Sequence, residues 1–213
     1  KMKILVCISH VPDTTSKINF TNGDSEFGGP ETEPTLRKAL AIGANEAIRV
    51  NASPTDGFFV AKQLAEVIKT GGYDLVIAGK ESLDYNGGMV PGMIAGLLGY
   101  NFLNSCVDLT VDGINASASR EIDGGKETVA TTLPLIIGGQ KGIVEEKDLR
   151  IPNMRGIMTA RTKVLTIVEP VAANIETKAV KFEKPAPKSA VKLVAADNLD
   201  ELINLLHNEA KVI

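Results

Sequence analysis

The segment Tyr73–Gly99, YDLVIAGKESLDYNGGMVPGMIAGLLG, decides the fold of this chain. It contains an apolar run, Leu75–Ala78, that has the length of a buried strand and ends at Gly79. A polar loop follows, and a helical pattern begins near Met89. This order of strand, glycine-bearing loop and helix places free backbone N–H groups and the positive end of a helix dipole at the carboxyl edge of a parallel sheet. The segment therefore predicts a site for an anion, above all a phosphate.

The predicted phosphate loop centres on Asp84–Gly88, where two glycines allow the backbone to approach a ligand closely. Asn86 either caps the following helix or contacts the ligand, and a simple capped turn is the alternative interpretation of the whole loop, because it matches neither GxGxxG nor a Walker A motif. The first strand ends at the same sheet edge, so its last residues are expected to line an adenine pocket. The residues predicted to surround the nucleotide are Cys7, Ile8, Ser9, Gly79, Lys80, Asp84, Asn86, Gly87, Gly88, Met89 and Val90.

Strands and helices alternate up to Gly99, which predicts a parallel sheet with helices on both faces. Short strands with Asp-Gly turns then predict inserted β-hairpins. The expected class is α/β, a doubly wound, mostly parallel, Rossmann-like sheet of the adenine-nucleotide-binding type. The predicted strands are 3–9 (fully buried), 47–50, 75–78, 107–111, 117–122, 128–132, 135–137 and 164–168. The predicted helices are 34–42, one from Met89, 199–208, and one that is capped by Thr55 or Asp56 and runs to about Lys69 with Phe59, Leu64, Val67 and Ile68 inward.

Two parts of the chain are distinguished by composition. Residues 1–168 are expected to form the nucleotide-binding domain. Residues 169–196 are rich in proline and lysine and poor in large apolar residues, so they cannot close a core. An amphipathic helix with Leu202, Leu205 and Leu206 on one stripe follows. Residues 169–213 are therefore predicted to be a C-terminal arm whose apolar stripe needs another surface.

Composition excludes several classes of protein. The 213 residues carry a formal net charge of −3, which gives no general attraction for nucleic acid or anionic membranes. No apolar run approaches the length of a membrane span and the first residues do not form a signal peptide, so a cytoplasmic protein is expected. Cys7 and Cys106 are expected to be reduced core thiols, with a single disulfide as the alternative.

Catalytic and metal-binding motifs are not found in the sequence. It contains no nucleophile elbow, HExxH or CxxC, and two histidines with two scattered cysteines are too few for a transition-metal site. His10 has no evident carboxylate partner and is expected to be a packing or solvent-facing residue, and His207 is expected to be structural. A nucleotide pocket without a catalytic set indicates a binding subunit or a carrier of a cofactor.

Several motifs together resemble the beta subunit of electron-transfer flavoprotein. They follow the family's order along nearly the whole chain: KILVCISHVPDT, LRKALAIGANEAIRV, the segment around DYNGG, REIDGGKE, the Leu133-Pro134 pair, IPNMRGIMTARTK and the closing DNLDELINLLHNEAKVI. The REIDGG and GIMxAR elements are the most specific of these. The chain is identified on these motifs as a member of that family.

Two features depart from the family pattern. The family usually has roughly 30 more residues, including a helix and a core strand, where Glu26-Phe27 here runs into Gly28-Gly29-Pro30. Loss of an interior strand would expose apolar surface to water, which costs about 25 cal/mol of folding free energy per Å². We therefore expect a segment to be missing near Phe27 and Gly28. The family's usual threonine and glutamine in the phosphate loop are Gly87 and Met89 here, which leaves backbone N–H groups, the helix dipole and Asn86 to bind phosphate.

The resemblance implies an electron carrier that transfers one or two electrons through flavin. An alpha subunit would hold most of the FAD, and this chain would bind AMP or a second FAD. Glu121 would approach a basic residue of the flavin domain, and IPNMRGIM would dock a dehydrogenase, such as one acting on acyl-CoA, through Met154 or Ile157. A core-facing helix is the alternative for that segment. The competing class is a self-standing nucleotide-binding regulator similar to universal-stress-type proteins, which needs neither the hairpin nor the arm.

Overall fold

The computed structural model describes residues 2–9, 11, 19–27, 33–187 and 190–213, so the expectation for His10 lies outside the described residues. The chain forms two compact units, Lys1–Phe182 and Glu183–Ile213. The boundary falls after Phe182, whereas the composition change in the sequence begins at residue 169.

The first unit carries the predicted alternation of strands and helices. Its strands are β1 (Ile4–Val6), β2 (Phe20–Thr21), β3 (Glu26–Phe27), β4 (Ala47–Val50), β5 (Leu75–Gly79), β6 (Asn101–Asp112), β7 (Asn115–Ile122), β8 (Gly125–Thr132), β9 (Leu135–Gly139) and β10 (Leu165–Val168). Its α-helices are α1 (Glu33–Ile42), α2 (Gly57–Gly71), α3 (Met89–Leu98) and α4 (Met154–Ala160), with a short 3-10 turn at Glu146–Asp148.

The main sheet has the strand order β1-β5-β9-β6-β7-β8. Strands β1, β5, β9 and the first part of β6 run parallel, and β7 and β8 add an antiparallel hairpin. This confirms the predicted α/β class, in which hairpins extend a mostly parallel sheet.

The core lies on both faces of β5 and β9, which explains their continuous apolar sequence. Val76 and Ile136 pack with α2 and α3 on one face, while Leu135 and Ile137 pack with the hairpin strands on the other. The buried positions of α2 include Ala61, Ala65 and Ile68, whereas the sequence predicted Phe59, Leu64, Val67 and Ile68 as the inward set. The other three predicted residues are only partly buried, because the small alanines occupy the close contact between α2 and α3.

Strand β6 begins earlier than predicted and changes partner along its length. Its first residues pair parallel with β9, its register shifts between Leu103 and Cys106, and it then pairs antiparallel with β7. Ser105 has φ 56° at this shift, a left-handed conformation that is uncommon outside glycine. The polar residues Asn104 and Ser105 interrupt the apolar pattern, which is why the sequence predicted only the later part of the strand.

The expectation of a fully buried β1 is wrong. Ile4 and Val6 are 46% and 56% exposed. Among the described residues β1 pairs only with β5, and β4 pairs with β10 in a separate two-stranded parallel sheet. In the described part of the chain, a main sheet that ends at β1 and a separate β4–β10 pair form the arrangement that loss of one interior strand would leave.

Within the first unit, residues 169–182 contact Gln63 of α2, the α2 N-cap residue Asp56 and Phe20 of β2. Buried Gln63 donates its Nε2 to the Val171 carbonyl and accepts the Val171 N–H at its Oε1, both at 2.8 Å. Asp56 accepts the N–H groups of Glu176 and Thr177 at 2.5 and 2.8 Å. Phe182 stacks on Phe20 with ring centroids 5.4 Å apart. Backbone groups of this segment are thus hydrogen-bonded to side chains of the domain, although its own side chains do not form a core.

The second unit contains a helix, α5 (Leu199–Asn204), followed by a π-helical turn at Leu205–Glu209. Asn198 caps α5 by accepting the Glu201 N–H at 3.4 Å. The predicted helix is therefore confirmed, with a change of helix type near its middle. Leu202 is exposed, as are the neighbouring apolar residues Leu199 and Ile203.

Both cysteines are free thiols, in agreement with the sequence-based expectation. Cys106 is buried in the core of the main sheet, and Cys7 packs at the edge of the core formed with α2 and α3.

Candidate functional site

The predicted phosphate loop joins the end of β5 to the start of α3. The Ser82 N–H donates to the Gly87 carbonyl at 3.1 Å, which closes the loop on itself. The Ser82 hydroxyl donates to the Asp84 carboxylate within the same turn. Asn86 has φ 50°, in the left-handed region where asparagine is tolerated better than most residues. A local hydrogen-bond network therefore determines the path of the loop before any ligand binds.

The N-terminus of α3 has no side-chain cap. Its N-cap residue is Gly88, so the alternative in which Asn86 caps the helix is wrong. By contrast, α2 is capped by Asp56, which accepts the Phe59 N–H at 2.7 Å. The first N–H groups of a helix lack partners within the helix, so those of α3 remain available to an anion whereas those of α2 are in part occupied by a carboxylate.

The two glycines of the loop have different surroundings. A Cβ atom on Gly87 would meet nothing within 4 Å, so this position borders open space. A Cβ atom on Gly88 would lie 3.2 Å from the Lys80 carbonyl oxygen, so a side chain here would press on the start of the loop. Gly87 is therefore the position where a bound group can approach the backbone.

Cys7, Ile8 and Ser9 lie at the same sheet edge as the phosphate loop. β1 is parallel to β5, with Val6 opposite Ile77, and the Cys7 N–H donates to the Ile77 carbonyl at 2.8 Å. The residues after Val6 therefore lie beside those that follow Ile77, including Gly79 and Lys80, as expected for the carboxyl ends of adjacent parallel strands. The structure thus brings together the two segments that were predicted to hold the base and the phosphate.

The charges of the loop are mixed. The Lys80 ammonium lies 3.8 Å from the Glu81 carboxylate, and Asp84 adds a second negative charge. Both partners of the ion pair are partly exposed, so the pair contributes little to stability. An anion at this loop would depend on backbone N–H groups and on Lys80, because the acidic side chains oppose it.

The thiol beside this site is not a nucleophile. Burial raises the pKa of Cys7 to about 11, so the thiol stays protonated at neutral pH. Tyr85 is exposed, and desolvation together with the Asp84 charge raises the pKa of its phenol. Both groups are therefore neutral under ordinary conditions.

Glu121 lies near the end of the hairpin strand β7. It is exposed, pairs in register with Lys126 of β8 and accepts a hydrogen bond from the Gln140 side chain. The neighbouring residue Arg120 forms an ion pair with Glu127 at 2.5 Å. The carboxylate is held by a neutral amide and remains accessible to a further cationic partner.

The segment around α4 presents apolar side chains to solvent. Met154 and Ile157 are 74% and 43% exposed, so the alternative in which this segment faces the core does not hold for them. The sequence prediction missed Ile151 and Met158, which are 83% and 65% exposed. Met158 is four residues after Met154, so helical spacing could have included it in the same face. We refer to Ile151, Met154, Ile157 and Met158 as the α4 cluster.

Comparison with known families gives one match over most of the first unit. The model of the electron transfer flavoprotein domain matches residues 27–173. The chain belongs to the electron transfer flavoprotein family. The match includes the phosphate loop, the hairpin with Glu121 and the α4 cluster, and it ends two residues after Val171.

Three relatives are 31–32% identical to this chain over most of its length. The electron transfer flavoprotein subunit beta of Bacillus subtilis is 32% identical over 200 residues, covering 87% of this chain and 77% of the relative. That of Syntrophomonas wolfei is 32% identical over 225 residues, covering 89% and 88%. The mitochondrial subunit beta of Oryza sativa subsp. indica is 31% identical over 195 residues, covering 87% and 75%.

One of these alignments shows a difference in length between this family member and its relative. The alignment with the Syntrophomonas protein runs over 225 positions, more than the 213 residues of this chain. That relative therefore carries residues within the aligned region that have no counterpart here.

Neither a membrane-spanning helix nor a metal-binding cluster is found among the described residues. Within the described ranges, each helix is too short or too polar to cross a membrane. The same part of the chain contains no group of three or more histidine, cysteine, aspartate or glutamate side chains arranged to hold a metal ion.

Proposed function

We propose that this chain is the beta subunit of an electron-transfer flavoprotein heterodimer. The complex would receive electrons from a dehydrogenase, such as an acyl-CoA dehydrogenase of fatty acid oxidation, and pass them to a downstream acceptor. Family membership supports this role, and the uncapped N-terminus of α3 beside the open space at Gly87 is the observation that carries it. A carrier subunit needs a nucleotide site and partner surfaces but no acid–base catalytic set.

The bound nucleotide is proposed to be AMP or a second FAD. Its phosphate would accept hydrogen bonds from the N–H groups of Gly88, Met89 and Val90 at the start of α3. Lys80 and Asn86 would lie beside it. The base would lie against Cys7–Ser9, because β1 and β5 end at the same edge. The residues present fit a phosphate, since the loop offers unpaired donors and room for close backbone approach.

Flavin chemistry belongs to the FAD that the alpha subunit would mainly hold, which supplies one- or two-electron transfer when bound. The contribution of this chain is to cover and orient that group. Glu121 would face a basic residue of the flavin domain, and its hydrogen bond from Gln140 would hold the carboxylate in place. The protonated Cys7 thiol takes no part in the transfer.

The α4 cluster is proposed to dock the dehydrogenase, with Met154 or Ile157 as its anchor. Interface energy concentrates in a few apolar anchors that enter pockets on a partner. Arg155 lies in α4 and Arg161 directly follows it, and both side chains are exposed. Their charges would steer an acidic surface toward the cluster.

The C-terminal arm is proposed to pack on the alpha subunit. Its helix exposes Leu199, Leu202 and Ile203, and burial of such a stripe on a partner is favourable. A cytoplasmic location is part of the same proposal and has its support in the composition of the chain.

Co-purification with the alpha subunit tests this function. Co-expressed chains should yield a yellow heterodimer that releases FAD on denaturation. A colourless homodimer that binds adenine nucleotide without flavin would contradict the proposal and would support a self-standing nucleotide-binding regulator.

A further inference from the structure

Cationic side chains cap the carboxyl ends of helices α1 and α4. Arg37 of α1 donates its Nη1 to the carbonyl of Ala160, the last residue of α4, at 2.9 Å and to that of Lys163, three residues beyond the helix, at 3.2 Å. Lys163 in turn donates its Nζ to the carbonyls of Leu40 and Ala44, at 2.8 and 2.6 Å, at the end of α1. The last carbonyls of a helix lack partners within it, so Arg37 and Lys163 satisfy orphan acceptors at the ends of α4 and α1.

The backbones of the two helices also lie in close contact. A Cβ atom on Gly156 would lie 2.3 Å from the Ala41 carbonyl oxygen, so only glycine fits at this point of α4. Ala160 and Leu40 are buried in the small core between the helices. At the other end of α4, the Asn153 side chain accepts the Gly156 N–H at 2.8 Å.

A helix as short as α4 needs these contacts to exist. It has seven residues, whereas isolated helices shorter than about 12 residues are only marginally formed in water. Its exposed face carries Met154, Ile157 and Met158 of the α4 cluster, so that face contributes little to holding the helix on the domain. The order of the cluster therefore depends on the buried face and on the two cationic caps.

We propose that Arg37 and Lys163 are positioning residues for partner docking, which fix the α4 cluster in its binding geometry before a partner arrives. This inference rests on the proposed docking role of α4. A surface ordered in advance loses less conformational entropy on binding, so removal of the caps weakens docking although neither side chain belongs to the cluster.

The obvious alternative is that both residues act through charge alone. Arg161 provides the matched control, because it is exposed, adjoins α4 and carries the same charge. Arg161→Met removes a steering charge and leaves the two caps in place. Lys163→Arg keeps charge and hydrogen-bonding capacity, so it should retain most of the docking that Lys163→Met loses.

The experiment uses the heterodimer with its dehydrogenase and compares Arg37→Met, Lys163→Met, Lys163→Arg and Arg161→Met with the unchanged protein. Amide hydrogen exchange of residues 157–163 reports order in α4, and the KM for the dehydrogenase reports docking. We expect each cap-removing variant to speed exchange in α4 and to raise KM by about tenfold. Hydrogen exchange is measured on the heterodimer without the dehydrogenase, so it reports the order of α4 even if α4 does not dock the dehydrogenase.

Three outcomes separate this inference from the docking role on which it rests. If Met154→Ala with Ile157→Ala leaves the KM unchanged, the docking role itself is wrong. If that double variant raises KM while Arg37→Met and Lys163→Met do not, positioning by these residues is overturned. If Arg161→Met matches the cap-removing variants in KM, and exchange in α4 is unchanged in all of them, charge alone accounts for the effect and the inference also fails.

Discussion

Single residues in the phosphate loop have separable roles. A Cβ atom on Gly88 would lie 3.2 Å from the Lys80 carbonyl oxygen, which is a tight contact, whereas Gly87 borders open space. A substitution at Gly88 therefore disturbs the loop itself, and a substitution at Gly87 acts only on what approaches from outside. This difference is invisible in the sequence, where both glycines have the same expected function.

Gly87→Val should lower the adenine nucleotide content of the purified heterodimer to a small fraction of the normal amount. The branched side chain would fill the space that a phosphate needs next to the α3 N–H groups. Nucleotide released by denaturation, measured by chromatography, checks this. Gly96→Val is the matched control, because Gly96 is in α3 and also borders open space, away from the loop. Equal nucleotide content in the two variants would exclude the loop as the phosphate site.

Asp56 links two elements, because one carboxylate caps α2 and binds the segment 176–177. Hydrogen bonds from the N–H groups of Phe59 and Thr177 lower its pKa below the ordinary value of 3.8. A carboxyl whose pKa is lowered by folding stabilises the protein above its unfolded pKa. That stability is lost as the pH falls through the lower, folded value.

Asp56→Asn should therefore reduce the acid dependence of the unfolding free energy below about pH 4. Urea unfolding followed across pH 2 to 7 measures this quantity. Asp123→Asn serves as the control, because asparagine is equally suited to the turn between β7 and β8. Identical pH profiles for Asp56→Asn and the unchanged protein would show that the carboxylate contributes no net stability.

The α4 cluster is the element through which docking is predicted to occur. Met154→Ala combined with Ile157→Ala should slow electron transfer from the dehydrogenase by about tenfold, or about 1.4 kcal/mol, with bound flavin unchanged. Stopped-flow reduction by the dehydrogenase provides the measurement. Ile114→Ala, at an exposed apolar residue of the β6–β7 turn, is the control. Unchanged rates in the double variant would place recognition elsewhere.

The elements show what sequence patterns contain and what they omit. Continuous apolar runs and capping residues predicted β5, β9, α1 and α2, because local preference and burial agree there. The exposure of β1 was not predictable from its apolar sequence, since it depends on which strand lies beside it. In the candidate site, glycines and strand ends predicted the loop and its edge. The mutual caps of Arg37 and Lys163 join residues more than 100 positions apart, and no local pattern indicates them.

On the scale of the whole molecule, the chain divides after Phe182. Truncation after Phe182 should weaken the heterodimer and leave the stability of the first unit nearly unchanged. Truncation after Pro170 should also destabilise the first unit, because buried Gln63 would lose both hydrogen bonds to Val171 at a cost of about 1–3 kcal/mol. Chemical denaturation of the two truncated chains compares them. Equal stabilities would show that the segment 171–182 adds nothing to the domain.

The nucleotide content of the intact complex tests the central claim most directly. The purified heterodimer is denatured, and the released FAD and AMP are quantified against the amount of beta subunit. We expect one adenine nucleotide, either AMP or FAD, for each beta chain in addition to the FAD of the alpha subunit, and we expect Gly87→Val to remove only that additional nucleotide. Release of the alpha subunit's FAD alone from the unchanged protein would contradict a nucleotide site at the start of α3.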